Sequence, residues 1–238
     1  MSSLVLRAIA LLTMLTDHLG YALYGVLPEP VYLGMRLVGR LAMPIFCFLV
    51  AEGLFHTRSA SRYAFRLLLF GLLSEVPFDW FCSHGTRLFS WEGQNIFFTL
   101  FLGLLAIWLY DRFALHGHYL LSLLAVLFCA ALSELIRSDY GMFGVLFIFV
   151  FYSFRDRPRA KYLTFIGVCL LLGLHAYVTA RNPDLNWAIS LCCASLAAWP
   201  LFLYNGRKGK GGKKLQMAFY AFYPAHLLLI TLFVHGIT

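Results

Sequence analysis

Polar residues are sparse along this chain, and nine apolar runs separate them, near residues 4–27, 31–55, 63–81, 95–111, 118–137, 140–154, 162–180, 187–204 and 215–235. Most approach the roughly 17–25 residues that a helix needs to cross a bilayer. The pattern predicts an all-α polytopic membrane bundle, a single domain over residues 1–238 with about nine transmembrane helices. The range is eight to ten, because the run at 140–154 is short for a full crossing. Pro28-Glu29-Pro30 makes a short turn between the first two runs, so they should be antiparallel neighbours.

The polar residues inside these runs matter more than the runs themselves. Arg7, Asp17 and His18 share the first one, although a charge centred in lipid costs a few kcal/mol. Arg7 and His18 are eleven residues apart, close to three turns, so both point the same way about 16 Å apart along the axis. Asp17 sits about 100° round the helix from His18. Arg36 and Arg40, at i and i+4, share a face of the second run at a depth similar to His18. Glu75 in the third run, Asn95 opening the fourth, and His226 beside Pro224 in the last belong to the same layer. Glu52, His56, Arg58 and Arg62 belong to the opposite mouth, and Arg66 is expected to snorkel there. Glu134 and Asp139 read as interfacial caps.

Charge orients the bundle. With the N-terminus cytoplasmic, the inside loops carry Arg58, Arg62, Arg112, Arg155, Arg157, Arg159, Lys161, Arg207, Lys208, Lys210, Lys213 and Lys214, whereas the outside loops carry only Arg87, Arg137 and Arg181. This is a strong positive-inside bias. It accounts for the net charge of +8 without nucleic acid, and the basic stretch at 206–214 suits anionic lipid. Only 13% of residues are charged against 61% hydrophobic, far below the roughly 25% charged of soluble domains. Asp17-His18 interrupts what would be the core of a secretion signal, so the first run is expected to be retained. The six cysteines lack metal-ligand spacing, no histidine pair has the helical spacing of a zinc site, and no metal is expected. Walker loops and G-x-S-x-G elbows are also absent from the sequence.

These residues describe an intramembrane polar site of histidines, arginines and carboxylates. Acyl transfer would use them as base and oxyanion donors, while a proton-coupled transporter would use the same groups as a relay. A non-catalytic assembly factor would need none of them. Two readings stand for Arg36 and Arg40: pairing with Asp17 or Glu75 that makes them tolerable in lipid, or orientation of a ligand's oxygens.

Five strings narrow the choice. Leu-Thr-Met-Leu-Thr-Asp17-His18 resembles the Asp-His signature of the TraX family of conjugative pilin N-acetylases. Gly39-Arg40-Leu-Ala-Met-Pro44-Ile-Phe46 resembles its Gly-Arg-x-Ala-Phe-Pro-x-Phe string, with Met43 in place of Phe. Gln94-Asn95-Ile-Phe, Tyr140-Gly141-Met-Phe-Gly144 and Phe222-Tyr223-Pro-Ala-His226 are similar to its later elements, in order along the chain. The Arg7-x10-His18 spacing also resembles that of the acyltransferase-3 membrane enzymes. The resemblance implies an acetyltransferase of the bacterial inner membrane using acetyl-CoA. Its acceptor would be a protein N-terminus, as on a pilin, or a hydroxyl such as that of a cell-surface glycan. On this reading His18 is general base or acyl carrier, with His226 the second candidate for base. Arg40, helped by Asn95, stabilises the oxyanion, and Asp17 or Glu75 holds an arginine. Arg7, Arg36, Arg58 and Arg62 meet the donor.

Overall fold

Ser2 accepts a hydrogen bond from the Val5 N–H (3.4 Å) and so opens helix α1, Ser3–Ala22, in the way small hydroxyl residues cap orphan amides. In this computed structural model, residues 1–207, 209 and 212–235 are described. Helices α2 (Glu29–Gly39), α3 (Ala42–His56), α4 (Ala60–Cys82), α5 (Ile96–Leu115), α6 (Tyr119–Leu135) and α7 (Gly141–Ser153) follow. Then come α8 (Pro158–Thr179), α9 (Leu185–Cys192), a 3-10 segment Cys193–Ala197, α10 (Ala198–Phe202) and α11 (Lys213–His235). No strand occurs among the described residues, only an isolated bridge between Gln94 and Ser138.

Every predicted apolar run is helical, with two breaks inside runs that hydropathy shows as continuous. The run at 31–55 divides at Arg40–Leu41 into α2 and α3. Pro44, three residues into α3, has no N–H for the Arg40 carbonyl, and the chain tightens there to a Leu41 N–H to Val38 carbonyl bond (3.3 Å). The run at 187–204 is α9, the 3-10 segment and α10 laid end to end. Among the described residues, six stretches are long and apolar enough to cross a membrane: Ser3–Ala22, Glu29–His56, Ile96–Leu115, Pro158–Thr179, Leu185–Phe202 and Lys214–Val234. Helix α4 has the length, but carries Arg62, Arg66, Glu75 and Asp79. Helices α6 and α7 are shorter. Lys208 and Lys210 of the basic stretch lie outside the described residues.

Helix α1 packs on α2, α3 and α11, α4 packs on α5 and α11, and α7 packs on α3, α5, α6 and α8. Leu6, Ile45, Leu67, Leu104, Phe147, Phe165 and Leu227 are fully buried where these helices meet. At one end, the Ile136–Tyr140 loop is fastened by a buried hydroxyl network. Thr99 donates to the Asp139 carbonyl (2.6 Å), its oxygen lies 2.8 Å from Ser138 Oγ, and Ser133 donates to the Gly141 carbonyl (3.0 Å). That fastening holds Tyr140 in the left-handed region at φ 62°, a conformation non-glycine residues adopt only when their surroundings impose it.

Candidate active site

Asp17 is the hub. Its Oδ2 accepts from Arg36 Nη1 at 2.8 Å and its Oδ1 from Arg40 Nη2 at 2.9 Å, all three side chains being largely buried. The i,i+4 spacing of the arginines on α2 lets one carboxylate of α1 hold both. Arg40 is engaged at every nitrogen, donating from Nε to the Arg36 carbonyl (3.3 Å) and from Nη1 to Tyr140 Oη (3.2 Å). Arg36 is not. Its Nη1 also reaches the Asp17 carbonyl (3.4 Å), but its Nε is buried without a partner and its Nη2 makes no hydrogen bond among the described residues. The Trp187 ring covers the pair, its centroid 5.4 Å from Arg36 Cζ and 5.1 Å from Arg40 Cζ.

This clasp explains Gly39. A Cβ there would fall on the Asp17 carboxylate. Gly39→Ala should therefore cost about 1–3 kcal/mol by overpacking and loosen both arginines. Gly34→Ala on the same helix meets open space and should be neutral or stabilising. Thermal unfolding of the two variants side by side checks this.

Next to the clasp stand the two histidines. His18 Nδ1 and His226 Nε2 are 2.6 Å apart, and His226 Nδ1 lies 2.8 Å from the Phe222 carbonyl. A carbonyl only accepts, so His226 Nδ1 carries its proton and, in the neutral pair, His226 Nε2 is a lone pair. His18 must then donate from Nδ1. Its Nε2 is left as a lone pair with no partner among the described residues. The imidazole planes are 12° from parallel with centroids 4.9 Å apart, so the N–H and the lone pair share a plane.

Two cavities surround these groups. One, about 380 Å³, is lined by Asp17, His18, Arg36, Arg40, Asp139, Tyr140 and Trp187 among others. The second, about 540 Å³, is lined by Arg7, Arg58, Arg62 and Arg66, with Glu52, His56, Tyr63, Tyr204, Phe219 and Tyr220. Met14, Phe46, Ile96 and Tyr223 line both, so they form a waist between a basic mouth and the histidine chamber. Arg7 stands in one cavity and His18 in the other, on the single wall of α1. At the mouth, Glu52 accepts from Arg155 Nε (3.1 Å) and from Tyr204 Oη (3.4 Å). Burial and the Glu52 charge push the Tyr204 phenol above its ordinary range, so it remains a donor.

The sequence-predicted residues thus fall into three places. Asp17, His18, Arg36 and Arg40 meet in the histidine chamber, and His226 supports His18 without lining the cavity. Arg7, Arg58 and Arg62 line the mouth, whereas Arg36, expected among the donor-binding residues, lies in the chamber. Glu75 and Asn95 line neither cavity. Asn95, fully buried, caps α5 by accepting from the Phe97 N–H (3.0 Å), and its side-chain amide donates to the Gly71 carbonyl (2.8 Å) and to Glu75. These two therefore join α4 to α5: Glu75 holds Asn95 rather than an arginine, and the Asn95 amide is engaged by Gly71 and Glu75. Glu134 caps α7 through the Met142 N–H (3.1 Å), while Asp139 lines the chamber. Tyr140 and Trp187, absent from the expected site, line the chamber, and Arg66, expected only to snorkel at the mouth, lines it. Asn95 before an apolar run was a readable cap signal, but nothing local marks Trp187 or Tyr140 as partners of arginines on α2.

The profile of the TraX protein family matches residues 2–234. The chain is 32% identical over 241 residues to the "Probable fimbrial assembly protein FimC, serogroup H1" of Dichelobacter nodosus, covering 96% of this chain and 94% of that protein. It is 24% identical over 192 residues to the "Uncharacterized protein RP591" of Rickettsia prowazekii (strain Madrid E), covering 77% and 69%. No solved structure matches at a significant level. The Asp17-His18 and Gly39-Arg40 strings that meet in the chamber lie within a family match running over nearly the whole chain, and this protein belongs to the TraX family.

Proposed function

We propose that this protein is an integral-membrane acetyltransferase that moves the acetyl group of acetyl-CoA to a protein α-amine. The observation that carries the reading is a pair of adjoining cavities with four lining residues in common: a basic mouth and, beyond the shared residues, a histidine with a free Nε2 beside arginines fixed by a carboxylate. Phosphate oxygens suit the guanidinium groups of Arg7, Arg58, Arg62 and Arg66. Arg66 in particular has a buried Nε with no partner. The waist residues Met14, Phe46, Ile96 and Tyr223 then suit a thin, weakly polar arm reaching toward His18.

In the chamber, His18 Nε2 takes the proton of the attacking amine as the carbon–nitrogen bond forms. The carbon–sulfur bond then breaks, and the same nitrogen returns the proton to the departing thiolate. Charge growing on the carbonyl oxygen needs a donor that is already fixed and not already used. Arg36 Nη2, without a hydrogen bond among the described residues, meets that requirement, and each Arg40 Nη keeps a second N–H beyond the one given to Tyr140 or Asp17. The oxyanion role expected of Arg40 is then shared with Arg36, and Arg40 also keeps the clasp and Tyr140 in place.

The mouth opens at the end of the bundle that carries the positive loops. This supports an N-terminus on the cytoplasmic side of the inner membrane and donor access from within the cell. A relative named as a probable fimbrial assembly protein supports a pilin-like acceptor over a glycan hydroxyl.

Purified protein in lipid nanodiscs should bind acetyl-CoA, measured by calorimetry. Arg62→Ala should weaken binding about tenfold or more, as expected for a lost charge-assisted contact, and rising salt should weaken it further. Failure of the folded wild type to bind acetyl-CoA would overturn the reading.

A further inference from the structure

We infer that His226 is not a second base but the positioning residue that fixes His18 in its Nδ1–H tautomer, leaving Nε2 as the nitrogen that does the chemistry. The inference rests on the acetyltransferase reading for its kinetic consequence, but its structural half stands alone.

The direction of the hydrogen-bond chain is forced from its far end. The Phe222 carbonyl has no proton to give, so the 2.8 Å contact exists only if His226 Nδ1 donates. The opposite tautomer would set two acceptors against each other. His226 is 4% exposed and forms no part of the chamber lining, so it has no route to a substrate proton. Its ring is further held by Phe222, parallel within 13° at a centroid distance of 4.9 Å, and by Tyr223. His18 is in contact with Phe81 and Tyr223 as well, at 5.3 and 6.2 Å between centroids. The imidazole that meets substrate is thus braced on one edge and open on the other. Its orienter is neutral. The proton gained at Nε2 during attack strengthens the Nδ1–H···Nε2 bond without placing a full counter-charge next to it.

The assignment makes three observables part company. In a wild-type sample with labelled histidine, without any substrate, nitrogen NMR should show His18 protonated at Nδ1 and bare at Nε2. His226→Ala should lose that preference and lower kcat tenfold to a hundredfold, while the KM for acetyl-CoA, set at the mouth, stays within about twofold. His226→Gln, whose amide oxygen can accept from His18 Nδ1, should recover most of the lost kcat. A wild-type His18 protonated at Nε2, or a His226→Gln variant as impaired as His226→Ala when both fold, would overturn the inference. Correct tautomers in a protein that transfers no acetyl group would leave the positioning geometry standing and sink the enzymatic reading instead.

Discussion

Replacing His18 by alanine is expected to lower acetyl transfer by about 10²–10⁴-fold, the range usual for removing a positioned base. The affinity for acetyl-CoA should hardly change. The two outcomes separate because the groups lie in different cavities. Arg7, Arg58, Arg62 and Arg66 line the mouth, and His18 stands beyond the waist. An alanine at position 18 removes the free Nε2 but leaves the Asp17 clasp and the mouth untouched, so the folded protein should persist. Measuring kcat and the acetyl-CoA dissociation constant on the same preparation makes the comparison. Unchanged turnover would eliminate His18 both as base and as acetyl carrier, and would return the chamber to a structural or assembly role.

The second large effect is expected at Asp17. Asp17→Asn keeps the volume but leaves Arg36 and Arg40 buried without their carboxylate. Removing one partner of a buried ion pair typically costs about 3–5 kcal/mol. Both activity and thermal stability should therefore fall, in contrast to His18→Ala, where only activity does. The combined Asp17→Asn, Arg36→Gln variant should recover stability in part, because one of the two stranded charges is gone, while activity stays low because the free donor is gone too. Stability restored together with activity would show that Arg36 serves only the clasp.

Much of this site follows from spacing. The eleven-residue interval from Arg7 to His18 places both on one wall of α1, and the i,i+4 interval of Arg36 and Arg40 lets one carboxylate bind both. The short turn at Pro28-Glu29-Pro30 brings that carboxylate to them. These are local relations, fixed by helix geometry once the apolar runs are recognised. What escaped was long-range. Whether Glu75 or Asp17 would pair with the arginines depended on how α4 sits against α2, and no periodicity states that. Asn95 and Glu75 were polar residues at the right depth, but depth does not distinguish a residue facing a cavity from one that ties two helices together. The break at Arg40–Leu41 lay hidden because apolar residues flank it on both sides, although Gly39 and Pro44 mark it in hindsight. Tyr140 reaches Arg40 only because a hydroxyl network among Thr99, Ser133 and Ser138 forces its backbone to φ 62°.

The role of Gly39 shows how packing and function meet here. Its missing side chain is the space the Asp17 carboxylate occupies, so the Gly-Arg pair supplies both the vacancy and one of the arginines that the vacancy permits.

The most direct test of the central claim is transfer itself. Purified wild type in nanodiscs is given acetyl-labelled acetyl-CoA and a peptide with a free α-amine, and label on peptide and release of CoA are followed together. The account predicts labelled peptide and equimolar CoA from the wild type, and both at least a hundredfold more slowly from His18→Ala. Folded, donor-binding wild type that labels no amine and releases no CoA would contradict it.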